Sequence, residues 1–511
     1  MLLCGSGVFR PVTINESNYY PGAMKFKGNV IKGFLISLVF ILIPISAFSA
    51  QKVTPGSTCK TLNQKIVYMN KTYTCIKSGK KIIWNKGVVI AKATPTPSPT
   101  LSPTPSPTPS PTPGVEFIES GLSQDPNTCK LIDARTQKRQ PNNVGFPLEK
   151  DLIPANGNLN VIVIPVDFSD RPGGQSPLNY LTEQMSKMND WYKFFSGNKV
   201  NITFQIGKEW VRAPKADSEY VVPKSAANSP GLAVEIQNGM AQDLINASKG
   251  QFDFTKSNIV FFYMPTIKSV DYDMGGRGVS LTTSEGAKDF FYWGGGAYHF
   301  DDRNLQSSVK KEKMWAFWTH EMLHSQGLAL HAPANGSSTG LHTSQYGSSL
   351  AIDSWELFRL GWIEDSNVAC LDKSKDINHR LILRPTELGS QLARFTVIKL
   401  NAYEALVIES RRPVGYSKEW NSNQSGILVF RIDTRNDNDR SGESSGDTGN
   451  SEKYSKWAYL LSPDNKNLSG ISAFDVESYI VRVNQTITYS NIKIKLLMSA
   501  SDKDLVEISK P

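Results

Sequence analysis

Three histidines and one glutamate lie close together in a single stretch of this 511-residue chain. His320 and His324 are four residues apart, Glu321 directly follows the first, and Gly327 and His331 follow the second. Residues at positions i and i+4 share one face of a helix, so the first two imidazoles can bind the same metal ion. Zinc accepts neutral imidazole nitrogens and keeps a position for water in catalytic sites. The pattern therefore predicts a catalytic zinc site.

The other residues of this stretch have separate predicted roles. Glu321 can place its carboxylate near the water on the metal and act as general base. Gly327 favours a helix end, because glycine tolerates the left-handed conformation found there, and the chain can then turn back to present His331 as third ligand. The alternative is an amphipathic helix with surface histidines. Against it, four of the six histidines fall in one short window: His320, His324, His331 and His342.

Strands and helices are expected before the motif. Apolar runs over 160–168 and 258–264 predict buried strands, and alternation over 200–206 predicts another. Apolar residues at helical spacing predict helices over 176–195 and 231–248. This order is typical of an α+β, zincin-like metallopeptidase, in which a twisted sheet packs over the motif helix.

Two glycine-rich stretches, 275–278 and 294–296, lack the strand–turn–helix context of a nucleotide-binding loop, so they are interpreted as loops or the rim of the site. A second helix is predicted over 353–362, ending at Gly361. Beyond it the chain becomes β-rich, with short strand-like runs separated by turns. These runs cover 380–383, 405–409, 426–432 and 492–497.

The N-terminus has the pattern of an export signal. Lysines precede an apolar run over 33–47, and small residues then fit cleavage after Ser49 or Ala50. An uncleaved anchor is the alternative. The residues before Met24 are out of place ahead of such a signal, so Met24 is a second candidate start. We expect a secreted or cell-surface protein, either released or retained at the envelope.

Cysteine usage agrees with export, since four cysteines remain once Cys4 is removed with the signal. An even count in an exported chain predicts two disulfides, for which three pairings exist. Proximity favours Cys59–Cys75, which leaves Cys129–Cys370 to bracket the catalytic region.

Five regions follow from composition. They are a signal region (1–50), a small Cys-containing β module (51–92), a Pro/Ser/Thr linker (93–114), a metallopeptidase domain (115–365) and a β-rich C-terminal domain (366–511). Alternating proline makes the linker an extended spacer that cannot pack a core. It suits a protein that projects from a cell envelope.

Charge gives weaker indications. The net charge of +9 is modest for this length, and Lys and Arg are spread out, so nucleic-acid binding is not expected. Asn, Asp, Ser and Gly dominate 433–453, where carboxylates could hold calcium; the spacing does not fit an EF-hand, and a solvated loop is the alternative.

From about 160 to 432 the chain resembles the immune inhibitor A family of secreted bacterial zinc metallopeptidases. The motifs that carry the resemblance occur in order. They are Val166-Asp167-Phe168-Ser169-Asp170, Phe194-Phe195-Ser196-Gly197-Asn198-Lys199, His320-Glu321-x-x-His324-x-x-Gly327-Leu328, Leu360-Gly361-Trp362, Val407-Ile408-Glu409-Ser410-Arg411 and Gly426-Ile427-Leu428-Val429-Phe430-Arg431-Ile432-Asp433.

The chain departs from that family twice. The resemblance implies a third ligand, usually acidic, ten residues after the first histidine, but this position is Leu330. His331 lies one residue further and is the predicted ligand, with His342 and Glu356 in reserve. The methionine turn common beneath such a metal is also missing, and Gln345-Tyr346-Gly347 is one candidate replacement.

The leading hypothesis is therefore a secreted zinc endopeptidase that acts on protein or peptide substrates, with zinc on His320, His324 and His331 and with Glu321 as general base. A cell-surface binding protein with a decayed peptidase domain is the alternative.

Overall fold

The computed structural model describes 54–89 except 60 and 69–70, and 117–510 with several gaps. The gaps are 122, 136–141, 150–152, 221–229, 265–272, 297–313, 329–330, 334–338, 346, 437–456 and 467–474. The predicted signal, the linker and nearly all of the calcium candidate lie outside the described residues. The described residues form two compact units, one before 114 and one after 115.

The smaller unit is an antiparallel sheet closed by a disulfide. Cys59 bonds to Cys75, which is the predicted pairing, and the small core adds Tyr73 and Trp84. Its strands are β1 (Lys65–Tyr68), β2 (Lys71–Ser78), β3 (Lys81–Trp84) and β4 (Val88–Val89).

The larger unit begins with a six-stranded mixed sheet. In the order β6-β5-β8-β10-β9, the first four strands are parallel, β9 is antiparallel at one edge, and β7 pairs with the end of β5. These strands are β5 (Gly157–Asp167), β6 (Val200–Ile206), β7 (Val211–Arg212), β8 (Ile259–Met264), β9 (Asp273–Thr283) and β10 (Gly286–Gly296).

Helices cover both faces of this sheet, because successive residues of its buried strands point to opposite sides. Phe261 and Trp293 join the core shared with the first and third helices, whereas Phe262 and Tyr292 join the core shared with the second. The helices are α1 (Leu178–Ser196), α2 (Pro230–Ala247), α3 (Met314–Ser325) and α4 (Ser354–Arg359). The architecture is mixed α+β, with more sheet than helix.

The interpretation of the glycine-rich stretches as loops is wrong, because they form parts of β9 and β10. The reason is packing across the hairpin. A Cβ on Gly276 would lie 2.3 Å from the Tyr292 ring, and one on Gly294 would lie 2.5 Å from the Met274 side chain. The glycines therefore make room for large side chains on the paired strand.

The C-terminal part is a sandwich of two sheets around an aliphatic core. One sheet has the order β11-β13-β14-β15-β16 and the other β12-β19-β18-β17. The strands are β11 (Val368–Asp372), β12 (Asn378–Leu383), β13 (Phe395–Lys399), β14 (Glu404–Arg411), β15 (Gly426–Asp433), β16 (Ala458–Leu460), β17 (Thr486–Tyr489), β18 (Ile492–Ser499) and β19 (Asp504–Ser509).

The five-stranded sheet also faces the part of this unit that contains the helices. On β14, Leu406 and Ile408 enter the sandwich core, whereas Ala405 and Val407 join the core that contains α1, α3 and α4. The disulfide Cys129–Cys370 has the predicted pairing and ties the start of this unit to β11. Within the described residues no helix is both long and apolar enough to span a bilayer.

Candidate metal centre

The motif forms α3, and all twelve of its residues are buried. Trp318 stacks on Phe261 of β8 with ring centroids 4.7 Å apart, which fixes the helix against the sheet. The helix ends at Ser325, and Gly327 has φ of +107°, the conformation that its position in the sequence predicts.

Three imidazoles converge beside this helix. Nε2 of His320 lies 3.2 Å from Nε2 of His324 and 2.9 Å from Nε2 of His331. One nitrogen from each of the three histidines falls within a 4.8 Å group that could hold a metal ion. Nitrogens bound tetrahedrally at 2.0–2.1 Å lie roughly 3.3 Å apart, so this spacing fits the group. We call His320, His324 and His331 the histidine cluster.

The opposite ring nitrogens of the helical histidines have their own partners. Nδ1 of His320 lies 3.0 Å from the Leu341 carbonyl oxygen, and Nδ1 of His324 lies 3.3 Å from that of Leu328. A carbonyl accepts a proton only from N–H, so these contacts favour the tautomer that carries hydrogen on Nδ1. That tautomer leaves the Nε2 lone pair for a metal, as is usual for histidine ligands.

Glu321 is buried in α3 directly after His320, with 7% of its surface exposed. The reserve ligands His342 and Glu356 lie nearby but pair with each other. Nδ1 of His342 is hydrogen-bonded to Glu356, and its Nε2 lies 3.1 Å from Nδ1 of His324. Burial raises the pKa of Glu356 to about 8, although Arg359 and His320 act to lower it.

A segment that the sequence did not single out holds the end of α3. The Asn142 amide donates to the carbonyl oxygens of both His324 and Leu328, each at 2.6 Å. Nη2 of Arg359 donates to the Gly327 carbonyl at 3.1 Å. These bonds satisfy carbonyls that a helix end leaves without partners. Asn142 has no sequence neighbour with ligand spacing, so no local signal could have identified it.

Comparisons with known proteins add a distant structural likeness. No protein-family model and no curated protein matches the chain. Among solved structures, the chain is similar to a catalytically inactive OgpA from Akkermansia muciniphila, crystallised with an O-glycopeptide substrate. The identity is 12% and the TM-score 0.22, and the match covers 59% of this chain and 86% of the other.

Proposed function

We propose that this protein is a zinc-dependent endopeptidase with a zincin-like domain of the immune inhibitor A type. The observation that carries the proposal is that three imidazole nitrogens converge on one point. In the two histidines that lie on the helix, the other ring nitrogen contacts a backbone carbonyl oxygen. Imidazole sets of this kind suit zinc better than magnesium or calcium, which prefer oxygen ligands. The ordered family motifs of the sequence agree with this assignment.

The side chains then have distinct tasks. His320, His324 and His331 would hold zinc, and the zinc would supply Lewis-acid chemistry by polarising a carbonyl and acidifying water. Glu321 accepts the proton of the attacking water and returns it to the leaving amine nitrogen. The burial of α3 limits access of bulk solvent, which strengthens electrostatic effects at the site.

A peptide substrate fits the edge of the first sheet. Among the described strands, β9 ends the strand order, and edge strands present N–H and C=O groups to which an extended peptide can add. Arg277 of β9 donates to the Asn142 side-chain oxygen at 3.3 Å, and Asn142 in turn binds the His324 carbonyl. The edge strand is thus two hydrogen bonds away from the metal-binding helix.

Substitution of the general base tests this proposal. Glu321→Gln should retain about one zinc per chain but lose about 10²–10⁴-fold in the rate of casein hydrolysis, the range that a general base contributes. A chelator should abolish wild-type activity. The matched control is Glu183→Gln, at a carboxylate on α1 whose side chain is 63% exposed. Wild-type hydrolysis by Glu321→Gln would contradict the mechanism, and zinc binding without hydrolysis in the wild type would favour the binding-protein alternative.

We also propose that the protein is exported and acts outside the cell. Two disulfides in the described residues support this placement, because disulfides persist mainly in oxidising compartments. Reaction of the natural protein with a thiol label, with and without reductant, would test it. Labelling of all four cysteines without reductant would contradict it.

A further inference from the structure

We propose that the 339–343 segment, through its residues Leu341, His342 and Thr343, is the support that orients the metal ligands. In it, His342 and Glu356 act as a positioning pair for His324 and are not ligands themselves. The inference deepens the proposed function and rests on its zinc site, but it does not depend on which bond the enzyme cleaves.

The hydrogen-bond chain behind His324 carries this inference. Nε2 of His324 faces His320, whereas its Nδ1 lies 3.1 Å from Nε2 of His342 and 3.3 Å from the Leu328 carbonyl oxygen, so these two acceptors share its hydrogen. The other nitrogen of His342 pairs with Glu356. Both nitrogens of His342 are therefore engaged away from the point where the ligand nitrogens converge. Its ring centroid lies 4.6 Å from that of His324, but 5.6 Å and 6.3 Å from those of His320 and His331.

The residues on either side of His342 contact His320 and the residue that follows His331. The Leu341 carbonyl accepts from Nδ1 of His320 at 3.0 Å. The Thr343 hydroxyl donates to the carbonyl of Ala332, the neighbour of His331, at 2.9 Å. Three consecutive residues thus contact two ligands directly and the neighbour of the third. The role of Gln345-Tyr346-Gly347 as a replacement for the methionine turn stays a prediction, because Tyr346 lies outside the described residues.

The segment is itself anchored to the core. The Leu341 amide donates to the Ala351 carbonyl at 2.7 Å. Glu356 belongs to α4, where its amide is capped by Asp353 at 3.1 Å. His342 and Glu356 have side chains only 1% and 3% exposed, so neither can exchange its partner for bulk water. A rigid pair of this kind can hold the tautomer and orientation of a metal-binding imidazole.

Two substitutions of His342 by residues of similar size can distinguish a positioning role from a purely structural one. A glutamine amide reaches the place of Nε2, so His342→Gln keeps an acceptor for His324 and loses the Glu356 contact. An asparagine amide reaches only the place of Nδ1, so His342→Asn keeps Glu356 and loses His324. The measurement is the zinc dissociation constant of the full chain by competition with a chromophoric chelator, together with the visible spectrum of the cobalt(II) form.

We expect His342→Asn to weaken zinc binding about 10–100-fold, the usual effect of removing such a partner. His342→Gln should weaken zinc binding less, because it keeps the acceptor for His324 and loses only the contact by which Glu356 holds that acceptor. The cobalt spectrum should keep its wild-type shape in both variants. The control is His379→Asn, at a buried histidine on β12 outside the histidine cluster, which should leave zinc affinity unchanged.

Three results would overturn the inference. Equal, wild-type affinity in both His342 variants would show that the pair does not position His324. Weak binding in both variants with an altered cobalt spectrum would make His342 a ligand. A folded wild-type chain that binds no zinc would instead refute the proposed function, and the inference would fall with it.

Discussion

Two of the buried polar clusters among the described residues of the larger unit differ in their chemistry. The second, which we call the arginine cluster, consists of Arg411, Glu387 and Glu409. Nε of Arg411 donates to Glu387 at 2.7 Å and Nη1 donates to Glu409 at 2.9 Å. Nη2 donates to the Thr339 carbonyl and the Ser349 hydroxyl. Its cationic donors thus meet anionic and neutral acceptors from the chain itself.

The histidine cluster has the opposite property, because its convergent groups are all imidazole nitrogens. The His324 imidazole is not readily protonated, because burial and, after it, the neighbouring histidines lower its pKa well below 6.5. A metal cation satisfies several neutral nitrogens at once. A buried cluster whose charged groups find their partners within the chain thus belongs to the scaffold, whereas convergent lone pairs mark a binding site.

The two clusters are also connected. Arg411 donates to the Thr339 carbonyl at 2.7 Å, and Thr339 opens the 339–343 segment that supports the histidines. The scaffold cluster therefore contributes to the geometry of the site without contributing a ligand.

The largest expected effect comes from breaking the arginine cluster. Arg411→Met leaves Glu387 and Glu409 buried without their cation, so the free energy of unfolding should fall by about 3–5 kcal/mol. Denaturant unfolding of the metal-free chain measures it. Arg380→Met is the matched control, because its ion pair with Glu507 is half-exposed and should be worth about 0–1 kcal/mol. Equal losses in the two variants would refute the scaffold role of the cluster.

Removal of a metal ligand should lower the free energy of unfolding by less than this, and only when zinc is present. Free zinc at about 100 times its dissociation constant should stabilise the wild type by about 2.7 kcal/mol. His331→Asn should lose most of this gain but unfold like the wild type in chelator. Arg380→Met, which leaves the site intact, should keep the gain. A full zinc response in His331→Asn would remove His331 from the ligand set.

The sequence predicted those parts of the molecule that depend on local spacing. His320, His324 and the turn at Gly327 follow from helix geometry, and the predicted helix over 176–195 corresponds to α1 at Leu178–Ser196. The short separation of Cys59 and Cys75 in the chain also predicted their pairing, which left Cys129 and Cys370 for the second disulfide. Three points stay predictions: the domain boundary at 365/366, the role of Glu321 as general base, and the location of the protein outside the cell.

What the sequence missed depends on contacts between distant segments. Asn142 reaches α3 from 182 residues away, and no periodic pattern marks it. Gly276 and Gly294 lie in paired strands, where glycine leaves room for the Tyr292 and Met274 side chains opposite. The sequence singled out His342 and Glu356 by residue type alone, and only their pairing in three dimensions separates a supporting group from a ligand.

The last expected effect appears only as pH changes, and it separates the two clusters further. The ordinary pKa of Glu356 is 4.5, and burial raises it to about 8 in the fold. Between these values the folded metal-free chain holds a proton that the unfolded chain releases. This contribution to stability is complete below pH 4.5 and is lost as pH rises towards 8, with a slope of at most about 1.4 kcal/mol per pH unit.

Glu356→Gln cannot release a proton at this position. Its free energy of unfolding should therefore rise relative to that of the wild type as pH increases from 5 to 8. Unfolding of both proteins in chelator measures this difference. Zinc should reduce it, since a nearby dication favours the ionised carboxylate. A difference that stays constant across this pH range would mean that Glu356 is already ionised in the fold, balanced by His342 as Glu387 is by Arg411.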